Sequence, residues 1–286
     1  MALGGRLDFD FTKDTLTAAD GSEFRLEPPT SDDLPAAGFD PGASGFVAPA
    51  ADAASVSVAV SPTSDRLELL TPFAPWDGHD FAGLRVLLKA RGKCTTDHIS
   101  PAGPWLTYRG HLTNISGNMF LGANNAFAID RGETDPGLAV DARDGSIKPI
   151  PELAKEYKAA GIAWIAVGDE NWGEGSSREH AAMEPRYMGG KAVLVRSFAR
   201  IHEANLKKQG VLPLTFADPA DYEKVLVDDT VDVTGLGALA PGSQVTIVLH
   251  HADGTSESIL ANHTMSDEHI AWFKAGSALN LLAAKQ

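Results

Sequence analysis

The chain has 286 residues, 43% of them hydrophobic and 22% charged, the balance of an ordinary globular protein with material for one large core or two modest ones. A formal net charge of −14 argues against a nucleic-acid partner held by phosphate neutralisation. A single cysteine, Cys94, excludes an internal disulfide and a cysteine-held zinc or iron–sulfur site, and no run of about 18 apolar residues is present to span a membrane.

The first residues, "MALGGRLDFDF", have neither a signal-peptide core nor a transit-peptide composition and read as the interior of a longer protein. Cysteine usage fits a reducing compartment, cytoplasm or mitochondrial matrix, rather than the secretory route. Alternation predicts two short strands, "RLDFDF" and "EFRLEP", joined by the polar turn "TAADG". The following stretch is rich in Pro, Gly, Ala and Asp without either period, which predicts a linker or a segment wrapped over another surface. "SVSVAV" (55–60) alternates as a strand does, and "LRVLLKARGK" (84–93) reads as a buried strand that runs into the loop "CTTDHISPAGPW". Residues 120–150 are loop-like. "ELAKEYKAAG" then predicts a helix, "IAWIAVGD" an apolar strand, "KAVLVRS" another, and "FARIHEANLKKQG" a second glycine-stopped helix. That alternation predicts a parallel layer, and the strands "TVDVTG" and "SQVTIVLHH" around a Pro-Gly turn add a β-rich part near the C-terminus. A last amphipathic helix is predicted over "SDEHIAWFKAGSALNLLAAK". The fold class is α/β.

The stretch "GDENWGEGSSREHAAMEPR" (168–186) carries the chemistry. Backbone N–H groups at a helix start lack intrahelical acceptors, and glycines let a ligand approach them. Arg178 can grip a carboxylate or phosphate with two donors, Ser176 and Ser177 can donate to the same anion, and one of them could act as base or nucleophile where positive charge stabilises its alkoxide. The competing structural reading has Ser177 capping the helix and Arg178 paired with a nearby carboxylate. "GEGSSRE" matches neither the Gly-x-Ser-x-Gly elbow nor a P-loop.

Asp97 and His98 in "TTDHIS" are either an Asx turn with a surface histidine or a buried carboxylate that orients a catalytic arginine or proton donor. Arg109 stands beside Tyr108 in "YRGHL", where a lone arginine most often stacks on the surface. Cys94 reads as a buried inert thiol. "IHEAN" is not His-Glu-x-x-His, and His250–His251 lacks a third ligand, so no metal site is indicated.

"KCTTDHISPAGPWLTYRGHLTNIS", the Gly-Ser-Ser-Arg-Glu-His turn with its sequel through "FADPADY", and "HHADGTSESILANHTMSDEHIAWFKAGSALN" strongly resemble the C-terminal domain of mitochondrial-type aconitases. The resemblance covers nearly the whole chain. It implies a swivelling β/β/α domain over 67–286, an interdomain linker over 31–66, and the tail of the preceding catalytic domain over 1–30. The turn also resembles the one on the small subunit of isopropylmalate isomerases. By resemblance Ser176 is the base that removes a proton from carbon, Ser177 and Arg178 hold a substrate carboxylate, Arg109 holds a second, and Asp97 with His98 supports the site from behind. The implied reaction interconverts citrate and isocitrate through cis-aconitate.

Three cysteines of an earlier domain hold the [4Fe–4S] cluster of aconitases, and this chain carries none of them, so the partner implied is a cluster-bearing N-terminal region in cis or as a separate chain. Residues 123–150 depart from the Asn-Ser-Val-Arg-Asn segment of aconitases. A related hydro-lyase for homoaconitate, isopropylmalate or methylcitrate-type acids is therefore the alternative. An RNA-binding module and a free-standing serine hydrolase are weaker, the first for its charge and the second because no Ser–His–acid order is evident.

Overall fold

The computed structural model describes residues 2–31, 38, 45–52 and 55–285, and its contacts divide the chain into Met1–Val58 and Ala59–Gln286. In the first unit β1 (Leu16–Thr17) pairs antiparallel with β2 (Glu23–Phe24), joined by the expected polar turn. "RLDFDF" is not a strand. Its acids bond locally instead: Asp10 accepts from the Thr12 amide (3.0 Å) and hydroxyl (2.6 Å), and Asp14 accepts from Arg6 (2.6 Å) and the Asp10 amide (2.9 Å). Short acidic side chains that capture backbone donors compete with a sheet ladder. Residues 55–60 also form no strand, and Val56 and Val58 stay exposed for want of a partner edge. Part of the expected linker, residues 32–37, 39–44 and 53–54, lies outside the described residues.

The second unit opens with β3 (Phe81–Lys89), the short helices α1 (Thr96–Ile99), α2 (Leu112–Ile115) and α3 (Ala126–Ile129), and a hairpin of β4 (Leu138–Val140) and β5 (Ile147–Pro149). Then α4 (Ile150–Ala159), β6 (Trp164–Gly168), α5 (His180–Tyr187), β7 (Gly190–Val195), α6 (Arg200–Lys208) and β8 (Leu212–Phe216) alternate. The strands β9 (Thr230–Thr234), β10 (Gln244–His250) and β11 (Ser256–Asn262) follow, with α7 (Asp267–Ala275) and α8 (Ala278–Ala283) last.

Seven strands close a barrel in the order β10-β11-β8-β7-β6-β3-β9. The contiguous β3, β6, β7 and β8 are parallel, and the C-terminal strands seal them antiparallel. Burial explains the two sequence patterns. Alternate residues of the parallel strands, such as Ile165, Val167 and Leu194, fill the barrel, while Trp164, Ala166 and Val193 pack outward in a second core with Leu153, Ala181 and Leu206 of α4, α5 and α6. Covered on both faces, these strands read as continuous apolar runs, whereas β10 has one wet face and alternates.

Three further expectations change. The terminal helix is two helices, because Gly276 sits at φ +91° and its Cβ would lie 2.6 Å from the Ala74 carbonyl oxygen. The unpredicted β8 was hidden by Pro213, whose ring still takes a place in the ladder opposite Val193. Residues 120–150 contain α3 and the β4–β5 hairpin, anchored by the buried Asp141, which accepts from Arg143 (2.6 Å) and Lys148 (3.2 Å).

Candidate active site

The loops that leave the C-terminal ends of the adjacent parallel strands β3 and β6 meet. The amide of Gly92 donates to Asp169 (3.0 Å), that of Gly173 to the Cys94 carbonyl (2.7 Å), and that of Thr96 to the Glu174 carbonyl (2.9 Å). Lys93 closes the seam on Glu174 at 2.5 Å.

The glycines of this turn serve packing. Gly173 (φ +79°) leaves room for the His202 ring of α6, which its Cβ would approach to 2.3 Å, and Gly175 (φ +117°) leaves room for Thr96 Oγ1 at 3.0 Å. Residues 176–178 are irregular, and α5 begins only at His180, with Glu179 at the N-cap position and no side-chain cap. Ser177 is therefore not the cap. Its carbonyl instead accepts from Asn205 (3.3 Å). Ser176 and Ser177 are exposed, and among the described residues neither hydroxyl has a protein partner.

Arg178 is the anchored member. Its Nη1 donates to the carbonyls of Thr96 (3.3 Å) and Ser100, and its Nη2 to Asp97 Oδ1 (2.9 Å). The side chain is 14% exposed, while that of Asp97 is 64% exposed. Asp97 thus orients the arginine as a surface acid and not as the buried carboxylate envisaged. A guanidinium has five N–H groups, so the one on Nε and one on Nη2 remain without a protein acceptor among the described residues.

No side-chain hydrogen bond joins His98 to Asp97. His98 closes a capping box on Thr95, whose amide donates to His98 Nδ1 (3.2 Å) while Thr95 Oγ1 accepts from the His98 amide (3.2 Å). Arg109 follows the 3-10 turn Gly103–Tyr108, is exposed, and has no side-chain partner among the described residues. Its carbonyl oxygen lies 2.9 Å from Nε2 of His180, the first residue of α5. Glu68 pins the same segment by accepting from the Thr113 amide (2.9 Å) and hydroxyl (2.6 Å), and Thr113 in turn meets the Tyr187 hydroxyl at 2.6 Å. Arg109, the Asp97–His98 helix and the serine turn are thereby tied to one helix, α5.

Sequence reasoning missed four supporting residues: Ser100, His180, Glu184 and Asn205. The Ser100 hydroxyl donates to Glu184 Oε1 (2.8 Å) inside the core. Burial pushes the Glu184 carboxyl up to about 9, against the lowering effect of the Ser100 bond and the Arg178 charge. Glu184 lies one helical turn beyond Ala181, whose burial only the structure shows, so the sequence alone offered no signal for it.

Residues 84–219 match the family model of the aconitase C-terminal domain. The chain carries an aconitase C-terminal domain. All six candidate residues lie within the matched segment. The chain is 55% identical over 280 residues to a probable mitochondrial aconitate hydratase of Caenorhabditis elegans, covering 98% of this chain and 35% of that protein. It is 52% identical over 287 residues to the mitochondrial aconitate hydratase of Saccharomyces cerevisiae, covering 100% of this chain and 36% of that one. It spans about a third of the length of the curated relatives it matches. A crystal structure of 3-isopropylmalate dehydratase from Methanocaldococcus jannaschii superposes with a TM-score of 0.50 at 23% identity, over 72% of this chain and 95% of the other. That likeness concerns the fold.

The residues of this aconitase C-terminal domain do not fit an iron–sulfur cluster. Cys94 is 1% exposed, burial pushes its thiol well above the usual range, and among the described residues no group of three potential ligands converges. A cavity of about 730 Å3, lined by Lys89, Phe127, Arg196, Tyr222 and Val225 among others, contains none of the six candidates. The serine turn lies on an open face.

Proposed function

We propose that this chain is the base-carrying part of an aconitate hydratase acting on citrate and isocitrate through cis-aconitate. Ser176 is the base, and it takes the proton from carbon as an alkoxide. Ser177 and Arg178 bind one substrate carboxylate, and Arg109 binds a second. Asp97 positions Arg178, and His98 positions Asp97 by closing the cap of α1. The observation that carries this reading is the state of Arg178. Three bonds fix its guanidinium, yet two N–H groups stay available beside two unpaired serine hydroxyls. A fixed cation with spare donors binds a carboxylate at little reorganisation, and the same positive field lowers the energy of a nearby alkoxide. Identity to aconitate hydratases over essentially the whole chain supports the reaction class.

A pocket that buries its ligand needs walls on several sides. The exposed serine turn supplies one, so the rest comes from cluster-bearing domains upstream, in cis or on a separate chain. Residues 1–30 are then the tail of the preceding catalytic domain, 31–66 the linker and 67–286 the swivelling domain. Of the expected compartments, the mitochondrial one is supported by the relatives' names. The second reading, a hydro-lyase for homoaconitate, isopropylmalate or a methylcitrate-type acid, is favoured only by residues 123–150, whose sequence departs from the aconitase pattern.

The test mixes this chain anaerobically with the cluster-loaded upstream region and follows cis-aconitate formation from citrate and from isocitrate. Activity should require both pieces and vanish with Ser176→Ala at nearly unchanged substrate affinity. A large loss of affinity in that variant would make Ser176 a binder and remove it as the base. Turnover of a homologous acid but not of citrate would select the second reading.

A further inference from the structure

Glu184 is fully buried, and among the described residues the only bond to its carboxyl is the one from Ser100 Oγ (2.8 Å), while its Oε2 has no partner. An ionised carboxylate in that position would be held without a contacting cation, an expensive arrangement. The neutral acid is the form the site accommodates, and its elevated titration range agrees.

The bond from Ser100 has a direction that matters. Ser100 ends α1, its amide donates to the Thr96 carbonyl (2.9 Å), and both the Thr96 and Ser100 carbonyls receive Nη1 of Arg178. Holding the Ser100 side chain therefore holds the two carbonyls that hold the guanidinium. Glu184 stands on α5, the helix that emerges from the serine turn, so the connection runs from the turn's own helix through Ser100 back to Arg178.

We infer that Glu184 is an uncharged positioning residue for Arg178, acting through Ser100. It rests on the reading of Arg178 as the substrate clamp. Neutrality is part of the role. Arg178 already faces one carboxylate, the largely exposed Asp97, whose charge water screens while its bond still orients the guanidinium. A second, ionised carboxylate behind Ser100 would offset the remaining positive charge without screening, and substrate would meet a clamp of the wrong sign. A neutral glutamic acid keeps the anchor and leaves the charge to the substrate.

The experiment compares Glu184→Gln, Glu184→Ala, Ser100→Ala and Arg178→Lys in the reassembled enzyme, with KM and kcat measured separately. Glu184→Gln retains a neutral acceptor for Ser100 and should stay within about twofold of the parent in KM. Glu184→Ala and Ser100→Ala should each raise KM about tenfold, the equivalent of ~1.4 kcal/mol, with a smaller change in kcat. Losses in Glu184→Gln as large as in Glu184→Ala would overturn neutrality, and unchanged KM in both alanine variants would overturn the positioning role. Should Glu184→Ala fail to fold, Ser100→Ala and Glu184→Gln carry the same comparison.

An NMR readout on this chain alone separates the inference from the reading beneath it. The Glu184 side-chain carboxyl carbon should resonate as a neutral acid at pH 7. The Arg178 guanidinium hydrogens should exchange slowly in the parent and in Glu184→Gln, and quickly in Glu184→Ala. An unchanged KM in Arg178→Lys would end the clamp reading while leaving these signals to judge the anchor. An ionised Glu184 signal, or identical Arg178 exchange in all variants, would end the inference about Glu184 even with the clamp intact.

Discussion

Replacing Gly173 by alanine tests why the serine turn is built with glycine. At φ +79° any other residue is strained by about 1–2 kcal/mol. The added methyl would also lie 2.3 Å from Cγ and Cδ2 of His202 and 2.5 Å from its Cβ. His202 is 2% exposed and fixed on α6, so neither atom can swing away, and overpacking of this kind costs about 1–3 kcal/mol. A small gain from the stiffer unfolded chain offsets part of this, about 0.5 kcal/mol. The sum is about 3 kcal/mol, or a fall in Tm of roughly 10 °C for a unit of this size. Urea and thermal unfolding followed by circular dichroism measure it, with Gly254→Ala as the control. Gly254 has φ +85° and nothing within 4 Å of an added Cβ, so it reports the backbone strain alone, about 1 kcal/mol. Equal losses in the two variants would refute the packing argument and return Gly173 to a role in ligand approach.

Asp141→Asn should destabilise the second unit by about 2–4 kcal/mol, since it strips the charge from a fully buried carboxylate that Arg143 and Lys148 contact. The bonds from Arg143 hold the Asp141 carboxyl well below the usual aspartate range, so its stabilisation is complete above about pH 4 and fades as the pH falls further. An Asp141→Asn variant with the parent's acid sensitivity would contradict this. His202 is pushed by burial down to about 4, so the folded state keeps it neutral. Stability should decline as the pH falls from about 6.5 towards 4, by up to ~3 kcal/mol, and His202→Gln should flatten that slope in pH-dependent urea titrations. An unaltered slope would place the titration elsewhere. Arg109→Ala should leave the unfolding free energy unchanged within about 0.5 kcal/mol, because its exposed side chain touches no partner among the described residues, while raising KM in the reassembled enzyme. A stability loss without a KM effect would make Arg109 structural.

The second unit's parallel half was legible because strands covered on both faces must be apolar throughout, and "IAWIAVGD" and "KAVLVRS" could be little else. Local chemistry that competes with a ladder was less legible. "RLDFDF" alternates like a strand, yet its aspartates capture their own backbone, and "SVSVAV" alternates with no edge to join. Conversely, β8 contains a proline and still pairs, since its neighbours supply the context that propensity lacks.

The six candidate residues were named from the sequence, because residue type and a long motif suffice to pick out two arginines, two serines and an acid–histidine pair. Their arrangement was not. Only tertiary structure brought the β3 and β6 loops together, turned Asp97 outward onto Arg178, separated it from His98, and moved the helix start past Ser177 to His180. Glu184 is the sharpest case. In the sequence it is one more charged residue on a helix, and burial beside Ser100 alone makes it a neutral acid, because ionisation depends on the water and charge around a group and not on its place along the chain.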